Sequence, residues 1–380
     1  MAKGAYIGVS SVARKVKKMY IGVGGVARKV KKAYIGVGGV ARLWWSGSGE
    51  IKYYGTATAL SVGRGFYPAG ASVGNYGLIA GGRSGSASAY YATVDAYDTS
   101  LTRTTPTELK ATRSYVCGGS IGNYAIFAGG FAGSPVLSTD VYDTSLTKVT
   151  APNNISGARH WMASANVGSY VVFAGGNTSN LSSPTNVVDA FNTSLTRTVC
   201  TSLSTARFAL GGASAGNYAL FAGGIINSGY GSTAVVETYN TSLTKSSATN
   251  MATTRKFLFG TSVGNYALFG GGGTGSGSTS VASMDAYNSS LTKSVPTDLS
   301  QARERGKALT LKNFAIFAGG LIDASSSTNA TDAYDDSLTR TNPTASHGGD
   351  GYGGVVVGNY ALFAGGGWSG SNAVHAYTVA

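Results

Sequence analysis

The sequence predicts an all-β fold, a seven-bladed β-propeller behind a small basic arm of β-hairpins. Three observations carry that prediction. The first is a long repeat, clearest in YVCGGSIGNYAIFAGG (115–130). It joins a small-residue strand, a Gly-Asn step, a four-residue apolar run and a paired glycine. Seven copies are present, and the first glycine of each pair falls at Gly81, Gly129, Gly175, Gly223, Gly271, Gly319 and Gly365, at steps of 48, 46, 48, 48, 48 and 46. A fixed period of this size marks a repeat architecture. The second is composition. With 57 Gly, 23 Tyr and only 12% charged residues, the chain has the Ser/Thr/Tyr/Val bias of strands joined by many turns. The third is a second, shorter repeat confined to the N-terminal end.

That short repeat comes first in the chain. YIGVSSVARKVKKM (6–19), YIGVGGVARKVKKA (20–33) and YIGVGGVARLWWSG (34–47) align at a spacing of 14 residues. Val23-Gly24-Gly25-Val26 reads as a two-residue hairpin turn between short strands. β-Branched residues and glycines interrupt every helical window. Residues 1–45 are thus expected to form an attachment or oligomerisation arm, with Tyr6, Tyr20 and Tyr34 repeating one contact. Such thin hairpins are marginal alone and order against a partner or against copies of themselves. Trp44 and Trp45 would cap the arm or dock on the body, and residues 46–50 form a flexible linker. Residues 1–52 hold eight Lys and three Arg against one acid, a net +10 of the whole chain's +13. The basic character belongs to the arm rather than to the repeats.

Each long repeat reads as four strands. In the second these are 113–121, Tyr124–Gly130, Thr139–Asp143 and Lys148–Ala151. Apolar groups on both faces of the second strand imply a sheet packed on both sides, as blades in a ring are. The chain runs out after the third strand of the last repeat, at 373–378, while an orphan strand stands at 51–58. The propeller is therefore expected to span 51–380 and to be closed by 51–58.

Chemistry is harder to find. The three His (160, 347 and 375) show no zinc spacing, and no GxSxG or phosphate-cradle motif occurs. No catalytic residue, metal or cofactor is expected, and the chain reads as a non-enzyme. Cys117 and Cys200, at non-equivalent positions, read as free buried thiols. MAKGAYIG lacks a signal-peptide core and no apolar run is long enough to span a membrane, so the expectation is a protein made in the cytoplasm. Asp98, Asp143 and Asp335 become Asn192, Asn240 and Asn288 in other copies, which points to turn capping.

One set of charges recurs. Arg113, Arg159, Arg207, Arg255 and Arg303 each lie 11 residues before the strand aromatic, with Arg64 one position off and Gly349 in the seventh copy. They are expected near the mouth of the central channel, where they would either pair with a carboxylate or phosphate ligand or hydrogen-bond carbonyls of an adjacent blade. The loops after the diglycines differ from copy to copy, whereas the turns of the opposite face hardly change. Tyr90, Tyr91, Phe131, Tyr230 and Trp368 add aromatic faces to that variable side.

The paired glycine after an apolar strand, followed by a strand ending in Tyr97, Tyr142, Phe191, Tyr239, Tyr287, Tyr334 or Tyr377, resembles the kelch repeat across 51–380. The usual kelch Trp is absent; Ser-Leu-Thr-Arg/Lys stands there, as in Thr99–Arg103. No copper ligand set of the kelch-fold oxidases and no sialidase Asp-box occurs. The tandem YIGVGGVARKVKKA units look like segments at the N-termini of phage tail and virion proteins of Gram-positive hosts, over 6–45 only. These resemblances imply a non-enzymatic structural or receptor-binding component of a phage virion, in tail, baseplate or fibre. The arm would hold other virion proteins or further copies in a homo-oligomer, and the loop face a host surface glycan or anionic polymer. The alternatives are an intracellular kelch-type protein-binding scaffold and a surface-glycan-acting enzyme. Nucleic acid is not the expected partner, since no base-reading module accompanies the basic arm.

Overall fold

The computed structural model describes the backbone of the arm strands and, from residue 49, every residue except 86–88, 151–152, 180–182, 277–278, 345–348, 350 and 368–369. Two compact units result, Met1–Ile51 with Val379–Ala380 and Lys52–Thr378.

The first unit contains three antiparallel hairpins: Tyr6–Val9 with Val12–Lys15, Met19–Val23 with Val26–Val30, and Lys32–Val37 with Val40–Ser46. Val23 pairs with Val26, so two residues connect the strands. In the third hairpin the register shifts between Ala33 and Tyr34, and Trp45 and Leu43 are their partners. The extra residue, Trp44, marks a β-bulge. The side chains of Tyr6, Tyr20, Tyr34, Trp44 and Trp45 lie outside the described residues.

The second unit is all-β, a seven-bladed propeller of four-stranded antiparallel sheets. The second blade is typical: Cys117–Ile121 innermost, then Tyr124–Ala128, Thr139–Asp143 and Lys148–Val149. The innermost strand starts four residues later than the expected 113. Tyr115, at φ 54°, breaks the extended backbone before it. In the last blade Gly353–Val357, Tyr360–Ala364 and Val374–Val379 are joined by Ile51–Thr56 as the outer strand.

The diglycine is an inter-blade clasp. Gly129 and Gly130 adopt φ 60° and 121°, which only glycine reaches freely. The Gly130 N–H donates to the carbonyl of Arg159 in the next blade at 3.0 Å, and a Cβ on Gly129 would strike that same oxygen. The clasp recurs round the ring and returns from Gly366 to Arg64 at 2.8 Å. The strand-end tyrosines pack between blades with no exposure, and the Tyr142 and Tyr239 hydroxyls donate to carbonyls of Thr107 and Thr201 at 2.7 and 2.6 Å. Burial is the main cause that raises the pKa of these two phenols. On the face away from the diglycine loops, Asp143 Oδ1 accepts from the N–H groups of Ser145 and Thr147, and Asn240 does the same for Ser242 and Thr244. Capping by Asp and Asn alike holds the following Leu146 and Leu243 at φ 62° and 58°.

The innermost strands carry unpaired edges and need partners. A collar of side chains supplies them. Ser214 Oγ donates to the Asn166 carbonyl at 2.7 Å and accepts the Asn166 N–H at 3.1 Å. Thr310 bridges Ser262 in the same way at 2.6 and 3.2 Å. Ser72, Ser120, Asn166 and Ser262 extend the collar to the other junctions, from Val356 round to Thr310. Val356 stands at the remaining position, and valine has no group with which to bridge Thr310.

Candidate functional site

The five repeated arginines do not form an exposed rim. Arg113, Arg159, Arg207, Arg255 and Arg303 are each at most 1% exposed. Each guanidinium turns into its own blade and meets a carboxylate on the third strand. Arg113 reaches Asp140 at 2.6 Å, Arg159 Asp189 at 2.7 Å, Arg207 Glu237 at 3.0 Å and Arg303 Asp332 at 2.7 Å; Arg255 pairs with Asp285. Arg64, also buried, pairs with Asp95. The outer strand brings a second, partly exposed cation to the same carboxylate, such as Lys148 at 2.6 Å from Asp140 and Lys245 at 2.9 Å from Glu237. Burial is the main cause that lowers the pKa of Arg64, Arg113, Arg207 and Arg255, and the facing carboxylates oppose it. The expectation that these arginines hold an anionic ligand is thereby corrected. Six intra-blade braces consume them, because a guanidinium taken out of water needs a carboxylate close by. The carboxylates were legible in the sequence two residues before six of the seven strand-end aromatics, as in Asp140-Val141-Tyr142.

The channel mouth is built by the residue two places after each brace. Tyr115, Trp161, Ala209, Phe257 and Arg305 have φ of 54°, 57°, 54°, 52° and 60°; Tyr67 and Gly351 complete the ring at 46° and 66°. Left-handed backbone costs a non-glycine residue roughly 1–2 kcal/mol. Hydrogen bonds from blade to blade hold it: Ala209 N–H to the Trp161 carbonyl at 3.0 Å, Phe257 to Ala209 at 2.9 Å, Arg305 to Phe257 at 3.0 Å and Tyr67 to Gly351 at 2.9 Å. This conformation gathers aromatic rings over the mouth. Tyr67 and Tyr115 lie 4.8 Å apart, Tyr115 stacks on Trp161 at 4.7 Å, and Phe257 meets Trp161 edge-on at 5.1 Å. Arg305 lies over the Phe257 ring at 4.2 Å and pairs with Glu304 at 3.2 Å. Tyr67, Tyr115 and Trp161 are partly buried and keep some exposed surface.

Of the aromatics singled out in the sequence, Phe131 and Tyr90 continue this cluster outward. Phe131 packs on His160 at 4.9 Å and on Tyr90 at 6.2 Å. Phe131 is only 8% exposed and offers little surface; Tyr90 offers more. His160 is buried, and desolvation lowers its pKa to about 4, opposed by a hydrogen bond with the Asn177 backbone that raises it. Tyr230 packs against the cluster of Phe208, Ala209, Ile225 and Phe257, and its ring centroid lies 5.2 Å from the Lys256 ammonium. Tyr91 is half-exposed and shares no ring contact with the cluster among the described residues. Trp368 lies outside the described residues.

Below the mouth runs a cavity of about 350 Å³ whose wall includes Gly70, Gly118, Ser164, Gly212, Gly260 and Lys307. Glycine is needed at Gly70 and Gly118, since a Cβ there would strike the backbone of the adjoining innermost strand. Cys117 and Cys200 are free and buried, and burial pushes both thiols up to about 11. Among the described residues, no cluster of three or more metal-ligating side chains occurs, and no helix is long and apolar enough to cross a membrane.

No family model and no curated protein matches this chain. A solved structure described as "Structure of YjhT" does, with a TM-score of 0.57 and 12% identity, over 75% of this chain and 99% of that one. At that identity the likeness shows the fold alone.

Proposed function

We propose that this chain is a non-enzymatic binding component of a phage virion, whose loop face takes a host surface glycan and whose arm attaches to other virion proteins or to further copies of itself. The observation that carries the binding half is the partly exposed cluster of Tyr67, Tyr115 and Trp161, set on left-handed backbone at the channel mouth. Rings held at a fixed angle with one face toward solvent can stack on a sugar ring at low entropic cost. The variable Ser-, Asn- and Gly-rich loops around them supply hydroxyls and amides for the sugar's own hydroxyls. The virion half, and with it a location in the particle, rests on the tandem 14-residue units. The kelch-like reading rests on the diglycine and the strand-end aromatic. The repeated arginines are internal braces, so contact with the glycan falls to rings and hydroxyls.

An array of bacterial surface polysaccharides probed with the full chain tests this reading. Trp161→Ala combined with Tyr115→Ala should lower binding by on the order of tenfold or more. Alanine is tolerated at this backbone position, since Ala209 already occupies it at φ 54°. A folded double variant that binds unchanged, or a chain that binds no glycan, overturns the reading. Capture of a specific intracellular protein through the same rings would favour the scaffold alternative.

A further inference from the structure

Lys307 opens the innermost strand of the sixth blade, where the equivalent positions hold Ala69, Cys117, Ala163, Gly211, Phe259 and Gly353. Among the described residues of the cavity wall it is the one lysine. Its stem lies against Gly354 of the seventh blade, where a Cβ would come within 2.7 Å of Lys307 Cγ. Among the described residues lining the cavity, Arg305 and Lys307 are cationic and none is acidic. Arg305 is already matched by Glu304. The polar group acting on Lys307 is the Cys117 thiol, itself neutral because burial raises its pKa to about 11. Lys307 is partly exposed to the channel, with no carboxylate among the described residues of the wall, and desolvation lowers its pKa.

We propose that the channel is an oxyanion site: Lys307 receives a carboxylate or phosphate group, while the sugar ring that carries it rests on Tyr67, Tyr115 and Trp161 at the mouth. The ring half rests on the glycan-binding reading of the loop face; the charge half rests on Lys307 alone. The cavity, at about 350 Å³, has room for one such group with its hydration shell and a monosaccharide ring above it.

Calorimetric titration of the full chain with D-glucuronate, D-glucose 6-phosphate and D-glucose tests the site. Both acids, or the one whose oxyanion fits, should bind at least tenfold tighter than glucose, and the preferred acid identifies the oxyanion. Lys307→Met should abolish that preference without moving the thermal midpoint, since methionine keeps the stem on Gly354 and no ion pair is lost. Acids no tighter than glucose, or a preference that survives in Lys307→Met, overturn the proposal. Should Lys307→Met not fold, displacement of the bound acid by inorganic phosphate on the unaltered chain decides instead, and failure to displace overturns it. Polysaccharide binding on the array without any binding of the acids sinks the channel site and leaves the loop-face reading standing. Binding of the acids without binding on the array does the reverse.

Discussion

Six blades are built one way and the seventh another. In blades one to six a buried arginine, a third-strand carboxylate and an outer-strand cation form one brace, as in Arg113, Asp140 and Lys148. In the seventh all three charges are gone together. Gly349 stands in place of the arginine, His375 pairs with Phe363 where Asp140 pairs with Phe127, and Tyr53 replaces the outer cation. A tyrosine–histidine contact is found there, with the Tyr53 hydroxyl 2.9 Å from His375 Nδ1 and the Tyr53 ring 5.6 Å from that of Tyr377. Val356 also interrupts the collar at this blade. Six blades are each one continuous segment, whereas the seventh joins segments more than 300 residues apart in sequence. The two positions of its inner pair, 349 and 375, share the C-terminal segment, and only the outer strand comes from the other end of the chain.

The largest expected effect comes from removing the seam. Deleting residues 1–60 strips the outer strand and the buried Ile51 from the last sheet, and should lower the thermal midpoint by roughly 10 °C or more. Deleting residues 1–45 should leave the midpoint nearly unchanged. Equal midpoints would end the argument that Ile51–Thr56 closes the ring. Next comes the contrast between brace and seam. Asp140→Ala leaves Arg113 buried without its counter-ion and should cost about 3–5 kcal/mol in denaturant unfolding. Tyr53→Phe removes one hydrogen bond and should cost about 1 kcal/mol. Comparable losses would show that the two designs do not differ energetically. The smallest effect concerns the collar. Val356→Thr supplies the missing hydroxyl and should add about 0.5–1 kcal/mol, whereas Thr310→Val should lose about 1–2 kcal/mol. A destabilised Val356→Thr would mean that the sixth junction has no room for the bridge.

Much of this architecture was legible before any coordinates. The period of the diglycine, the Gly-Asn step and the strand-end tyrosine fixed blade number, strand order and the capped turns, because each depends on local backbone chemistry repeated in every copy. The arginines show where that legibility stopped. Their spacing was plain, but the same regularity suits an outward ring of charge and an inward brace. The carboxylates that decide between the two lie about 30 residues away and on another strand. The aromatic mouth was hidden for a related reason. Tyr67, Tyr115, Trp161 and Phe257 occupy a position also filled by alanine, arginine and glycine, so no residue type recurs there.

By itself, then, the sequence determined what one blade must be: four strands, glycine where the backbone turns left-handed, Asp or Asn where a turn needs a cap. These are short-range demands that a repeat states seven times over. Only the tertiary structure decided what seven blades do together. Burial sends the arginines inward, since a desolvated guanidinium must find a carboxylate. Ring closure imposes the left-handed residues that tilt aromatic side chains over the mouth. The meeting of seven innermost strands leaves Lys307 facing a channel with no acid in its described wall, a circumstance of convergence in space that no local pattern of residues records.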